Sequence, residues 1–270
     1  MRVADLTSSR ELLWNLTLRE LRGKYKRSTL GWAWSMLNPL ATMVVYTIVF
    51  GKFLGGQAPS PMANGRRIFA FFLLCALLPW NFVAQATNGA MASLLANGGL
   101  VKKVWFPREN IVFATSASLA FSFLIEMSLL SVALVIAGNM VLPWIPVVLL
   151  LMTILVVFVT GIALLLAALN VYLRDLGYLW SIFTQLWFFA TPIVYSPAKV
   201  EEHLHKGSLG LRLYEANPMA VFARCFRAVL YELRWPTLYQ IAYLVAAATV
   251  SMTVGLWSFA RLSPRFAEEF

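Results

Sequence analysis

Six stretches of this chain, at 30–53, 68–95, 111–137, 142–169, 176–195 and 238–260, are each about twenty residues or longer and almost wholly apolar. A hydrocarbon layer about 30 Å thick is crossed by a helix of about 20 such residues. Inside it every main-chain N–H and C=O needs a partner within the protein, which restricts spanning structures to helices and closed barrels. Barrel strands read as alternating segments of about ten residues, and none of the six stretches alternates over its length. The expected fold class is therefore an all-α integral membrane protein with six transmembrane helices. Composition agrees: 60% of the residues are hydrophobic and 13% charged, against about 25% charged in soluble domains. The spanning region, 30–260, is preceded by an N-terminal segment, 1–29, and followed by a short tail, 261–270.

Residues 1–29 hold seven basic residues and no apolar core ahead of a small-residue cleavage site, so no cleavable signal peptide is expected. Lys and Arg in short loops are retained on the cytoplasmic side. With the N-terminus inside, the inner segments carry those seven, then Lys102, Lys103, Arg108, Arg174, Arg261 and Arg265. The short outer loops hold Lys52, Arg66 and Arg67. The long 196–237 segment mixes six basic residues with Glu201, Glu202, Glu215 and Glu232 and weighs little in the rule. Both termini are expected in the cytoplasm. The formal net charge of +10 follows from this placement and suits anionic membrane lipids as partners. No nucleic-acid-binding module is present, so nucleic acid is not an expected partner. Cys75 lies in the second apolar stretch and Cys225 in the long outer segment, and both are read as free thiols.

Three local patterns point toward function. Along 10–27, Trp14, Leu18, Leu21 and Tyr25 share one helical stripe with Arg19, Lys26 and Arg27 roughly opposite, which describes an amphipathic helix in the cytoplasmic interface. Leu12 and Leu16 fall on its polar side, a second greasy contact suited to a protein partner. Residues 94–110, "LLANGGLVKKVWFPREN", break at Gly98–Gly99 and restart at Pro107, with Leu100, Val101, Val104 and Trp105 apolar around the lysines. They describe a short surface helix between spans two and three. In span five, Trp180, Thr184, Trp187, Thr191 and Tyr195 set rings and hydroxyls on one face, and Thr42, Tyr46, Phe50 and Phe53 do the same in span one. A sugar offers apolar C–H faces to rings and hydroxyls to hydrogen-bonding groups, so a carbohydrate path is one reading; interhelix packing with polar contacts is the other. Asn81, Gln85 and Asn88 add polar groups in span two, and Glu126 is the one acidic residue deep in a span.

Catalytic machinery is not expected. The sequence has no hydrolase elbow, no H-E-x-x-H and no metal-ligand cluster, and His203 and His205 read as solvated loop residues rather than a metal site. No phosphate loop occurs, and "LGGQ" at 54–57 falls outside the membrane without one.

"LRELRGKYKRSTLGWAWSMLNPL" at 18–40, "LLANGGLVKKVWFPRENI" at 94–111, "NVYLRDLGYLWSIFTQLWFFATPIVYS" at 170–196 and "ANPMAVFARCFRAVLY" at 216–231 together resemble the ABC-2 type permeases that export O-antigen, wall teichoic acid and related polysaccharides. The resemblance implies a homodimer of six-helix subunits in the bacterial cytoplasmic membrane, docked on two copies of a separate ATPase that holds ATP and Mg. It makes the N-terminal amphipathic helix an interface helix, residues 97–110 a cytoplasmic coupling helix, and 196–237 short re-entrant helices. Arg22, Lys24, Tyr25, Lys26 and Arg27 then form the entrance for a polyprenyl-diphosphate-linked glycan. Leu100, Lys102, Lys103, Trp105, Pro107 and Arg108 couple to the ATPase, and the two ring-and-hydroxyl faces line the channel. An exporter of drugs or small lipids shares the architecture and is the alternative. A secondary transporter would need coupling-ion sites or related halves, and a membrane glycosyltransferase would need acidic residues at the membrane surface; neither set is evident.

Overall fold

A computed structural model describes residues 3–25, positions 37, 40–41, 44–46 and 48–49, and then 58–103, 106–195 and 209–269. The described residues are helical, joined by short turns, without a strand among them. Helix α1 (Val3–Tyr25) starts earlier than the expected 10–27. The face that packs onto the bundle is the one carrying Leu12 and Leu16. Leu16 is buried and Leu12 rests on a cluster that includes Ala90, Leu94 and Ile111, while Trp14 is 64% exposed. The second greasy contact of this helix is thus made with its own chain.

Four described helices are long and apolar enough to cross a membrane. They are α2 (Phe69–Ala96), α4 (Glu109–Ile136), α5 (Ile145–Tyr172), which the turn Leu142–Trp144 precedes, and α9 (Leu238–Leu262). These match the apolar stretches at 68–95, 111–137, 142–169 and 238–260 to within a few residues. The expected span at 30–53 lies largely outside the described residues. The stretch at 176–195 is helical only as α6 (Leu176–Phe189), 14 residues, or about 21 Å at 1.5 Å per residue. It stops there because Pro192 has no N–H to continue the ladder and crowds the helical conformation of Thr191 before it. Hydropathy alone does not see that stop.

Helix α2 occupies the centre, buried along most of its length despite Pro79, with α4 and α5 against it. In lipid the hydrophobic effect no longer drives helices together, so close packing and hydrogen bonds must hold them. Phe82 of α2 stacks on Phe123 of α4 at 5.0 Å between ring centres, and Phe123 meets Phe226 edge-on at 6.4 Å. Phe226 belongs to α8 (Pro218–Leu230), which follows the short α7 (Leu209–Glu215) and is buried between α2 and α5. Helices α5 and α9 make the most extensive contact of the fold. At its centre Gly161 and Gly255 bring the two backbones together so closely that a Cβ on Gly255 would fall on the Gly161 carbonyl. Ser251 Oγ donates to the Phe158 carbonyl at 2.7 Å beside this crossing.

The bundle has two distinct ends. At one, α3 (Gly98–Lys103) links α2 to α4, and the chain's last described turn, α10 (Phe266–Glu269), packs beneath it. At the other, Asn139 Nδ2 donates to the carbonyls of Leu230 and Tyr231 at 2.8 and 3.2 Å, fastening the α4–α5 turn to the end of α8.

Candidate functional site

The α3 end receives the last turns of α1. Arg19 Nη2 donates to Asn97 Oδ1 at 2.9 Å, tying α1 to the hinge between α2 and α3, and also meets Glu20 at 3.3 Å. Arg22 is exposed one turn further on. Lys24 and Tyr25 complete the last turn of α1, while Lys26 and Arg27 lie outside the described residues. Next to this turn is a cavity of about 610 Å³ between α1, α2 and α4, bordered by Glu20, Gly23, Gln85, Ser93, Thr115 and Ser118. Its walls are mostly small and apolar, with Gly89, Ala92 and Ala96 beside three hydroxyl residues, and Ser93 Oγ is buried with no hydrogen-bond partner among the described residues.

Around α3, Leu100 packs against the Ala90–Phe266 cluster and Lys102 is exposed. Lys103 closes the helix, and Trp105 lies outside the described residues. Pro107 and Arg108 are half-buried and lead into α4, where Phe106 is buried. Arg108 Nη1 donates to the Ser263 carbonyl, its guanidinium lies 6.0 Å from the Phe266 ring, and Tyr172 Oη donates to the Leu262 carbonyl at 2.7 Å. The tail after α9, read from sequence as a plain cytoplasmic extension, is therefore woven into this end.

The ring-and-hydroxyl face of α6 is brought together, and it points into the protomer. Trp180 Nε1 donates to Thr87 Oγ1 at 2.8 Å, and Trp187 Nε1 donates to Asn217 Oδ1 at 2.9 Å. Thr184 and Thr191 are buried, with Thr191 Oγ1 donating to the Trp187 carbonyl at 2.8 Å. Tyr195 Oη donates to the Phe189 carbonyl at 2.7 Å, and Trp80 abuts Trp187 edge-on at 5.5 Å. The opposite face, with Tyr178, Leu179, Ile182, Phe183, Leu186 and Phe189, is exposed. These fall at near-helical spacing in the sequence, but an apolar stripe in a membrane span reads as lipid-facing and drew no attention. Of the span-one residues, Tyr46 packs partly buried against the core, while Thr42, Phe50 and Phe53 lie outside the described residues.

Two polar residues that the sequence did not single out organise the other end. Asn217 caps α8 by accepting from the Met219 N–H at 3.0 Å, and its Nδ2 donates to the Ala190 carbonyl at 3.1 Å and to Thr191 Oγ1 at 3.2 Å. With Trp187 this makes one side chain the junction of α6 and α8. Asn217→Ala is expected to lower stability by about 2 kcal/mol, since a lost N-cap alone costs about 1 kcal/mol and a further hydrogen bond about the same. Asn217→Ser keeps the cap and should recover roughly half of that. Thermal unfolding in detergent checks both.

Arg227 of α8 is only 4% exposed and forms no ion pair among the described residues; its hydrogen bonds go to carbonyls. Its Nε donates to the Phe72 carbonyl at 3.0 Å, Nη1 to the Pro192 carbonyl and Nη2 to the Ile193 carbonyl, and the guanidinium lies 3.7 Å from the centre of the Phe72 ring. Its fork joins α2, α8 and the turn after α6. In sequence it was one of six cations in a long segment, and only the fold distinguishes it. Cys75 and Cys225 are both buried free thiols.

The model of the ABC-2 type transporter family matches residues 11–231. The chain is 31% identical to the O-antigen export system permease protein RfbA of Myxococcus xanthus, covering 99% of this chain and 97% of that one. It is 28% identical to a protein of the same name from Klebsiella pneumoniae, over 96% of this chain and 94% of that one. Over 85 residues, 32% of this chain and 31% of the other, it is 29% identical to the polysialic acid transport protein KpsM of Escherichia coli.

Proposed function

The chain belongs to the ABC-2 type transporter family, and on that footing we propose that it is the permease of an ATP-driven exporter that carries a polyprenyl-diphosphate-linked cell-surface polysaccharide across the bacterial cytoplasmic membrane. The observation that carries this reading is the end-to-end similarity to O-antigen export permeases. In it the chain has no catalytic site, and ATP and Mg bind to two copies of a separate cytoplasmic ATPase. Two permease subunits assemble with both termini in the cytoplasm. Residues 30–53 supply the first of six spans, and α6 with the turn after it supplies the fifth. Helices α7 and α8 re-enter from outside, and most of α8 is buried among the spans.

Arg22, Lys24, Tyr25, Lys26 and Arg27 draw the diphosphate to the inner surface, where each cation near an anionic headgroup contributes about 1 kcal/mol. The cavity beside Gly23, with Ser93, Thr115 and Ser118 among its walls, receives the first sugars. The channel wall runs along Thr42, Tyr46, Phe50 and Phe53 and along α6. There the exposed Tyr178, Phe183 and Phe189 meet glycan or the second subunit, and Trp180, Thr184, Trp187, Thr191 and Tyr195 hold them from behind. Residues Leu100, Lys102, Lys103, Trp105, Pro107 and Arg108 dock the ATPase.

Deleting the gene in its host is expected to remove a surface polysaccharide, restored by the wild-type chain; an unchanged cell surface would defeat the export reading. Lys102→Glu combined with Trp105→Ala should lower co-purification of the ATPase and coupled ATP turnover on the order of tenfold, as loss of a central interface anchor does. Unchanged complex and turnover would show that α3 is not the docking element.

A further inference from the structure

The end of the bundle remote from α3 contains a cavity of about 550 Å³ between α7, α8 and the first turns of α9. That volume lies within the range of small-ligand sites, about 300–1,000 Å³. Its lining is rich in hydrogen-bonding groups: Arg212, Glu215, Arg224, Tyr239, Gln240 and Tyr243. Among the described residues Arg212 and Glu215 have no hydrogen-bond or ion-pair partner. Arg224 spends only Nε, on the Ala220 carbonyl at 3.3 Å, and keeps both terminal nitrogens for a ligand. We propose that this cavity binds an acidic saccharide unit, a sugar bearing a carboxylate or a phosphate. The proposal rests on the export reading and adds to it a second contact with substrate, at the face opposite the basic end of α1.

Three physical features favour that ligand. Two guanidiniums line one cavity with a single carboxylate, so the site carries a net positive charge, and an acid between them forms charge-assisted bonds that water serves less well. The amino end of α9, a 25-residue helix, adds to the positive potential. Tyr239 and Tyr243 offer ring faces to the C–H side of a sugar, and Glu215 and the Gln240 amide reach its hydroxyls. The walls are also fixed in place. Tyr243 Oη donates to the Ala216 carbonyl at 2.6 Å, and Thr237 and Gln240 form a reciprocal capping pair that engages Gln240 Oε1 and leaves its NH₂ to donate. A phospholipid headgroup shares the anionic chemistry but offers no sugar face to the two rings.

The test uses the purified chain with its ATPase in phosphatidylcholine nanodiscs, titrated calorimetrically with hyaluronan tetrasaccharide, whose alternate units are uronates, and with neutral maltotetraose. The acidic sugar is expected to bind at least about tenfold more tightly. Arg212→Gln with Arg224→Gln should abolish that preference, and Tyr239→Ala, an exposed ring at the rim, should weaken both sugars. Equal affinity for the two, or a preference that survives the double substitution, overturns the proposal. So does loss of tetrasaccharide binding on adding phosphatidylglycerol, which would assign the cavity to a lipid headgroup. None of these failures bears on export, which the gene deletion tests; a deletion that leaves the cell surface unchanged overturns export and the present proposal with it.

Discussion

Gly255→Leu is expected to abolish the folded protein, or to lower its unfolding temperature in detergent by more than any other single change considered. At Gly255 the helix backbone of α9 touches that of α5, and a Cβ there would overlap the Gly161 carbonyl. Side-chain overpacking costs about 1–3 kcal/mol when neighbours can turn aside. Here the neighbour is main chain inside a helix, which cannot turn aside, so the two helices must separate along their whole contact. Small residues at such crossings are what let membrane helices gain dispersion contacts in place of the missing hydrophobic drive. Gly161→Leu should behave alike, because its Cβ would meet the backbone of Ser251 and Met252. Gly255→Ala should already be measurably destabilised. A Gly255→Leu protein that elutes and melts like the parent would show that the crossing is looser than described.

Arg227→Met is the second large effect, expected at about 3–5 kcal/mol, since three buried carbonyls lose their donors at about 1–3 kcal/mol each while the cost of burying the cation is relieved. The substitution leaves the carbonyls of Phe72, Pro192 and Ile193 without their donors and removes the ring contact with Phe72. With about 2–4 °C lost per kcal/mol for a chain of this size, the melting point should fall by about 10 °C. Arg227→Lys keeps the charge but presents it from one nitrogen, which cannot reach carbonyls spread along a fork. It should recover less than half of the loss. If Lys restored full stability, the charge alone and not the fork geometry would be the reason for the residue.

The sequence made some elements plain and concealed others for identifiable reasons. Length of apolar run located α2, α4, α5 and α9, since lipid leaves a helix few alternatives and a 28-residue run such as α2 cannot be mistaken for a core segment. The end of α6 was written in Pro192, but a hydropathy reading passed over it. Helix α8 follows only from the resemblance, which implies short re-entrant helices across 196–237, and its own pattern does not mark it. At 13 residues it is too short for a spanning pattern, and its Arg224 and Arg227 read as loop cations until α2 and the turn after α6 closed around one of them. The aromatic spacing of Trp180 and Trp187 was legible, yet periodicity reports which residues share a face and not which way it turns. The indole bonds to Thr87 and Asn217 show that it turns inward. The basic turn of α1 was found by its charges, whereas its packing through Leu12 and Leu16 was found by the wheel.

The backbone contact at Gly161 and Gly255 has a mechanical consequence. At that crossing no side chain separates the two helices, so sliding there is resisted, and α5 and α9 act together as a strut of about 37 Å, the length of 25 residues. Its lower end is hooked to the α3 region through Arg108 and Ser263, and its upper end forms a wall of the cavity beneath Tyr239 and Gln240. A tilt applied at Ser263 therefore arrives at the opposite membrane face as a displacement rather than dissipating in side-chain slack, and the lever arm is the thickness of the membrane itself.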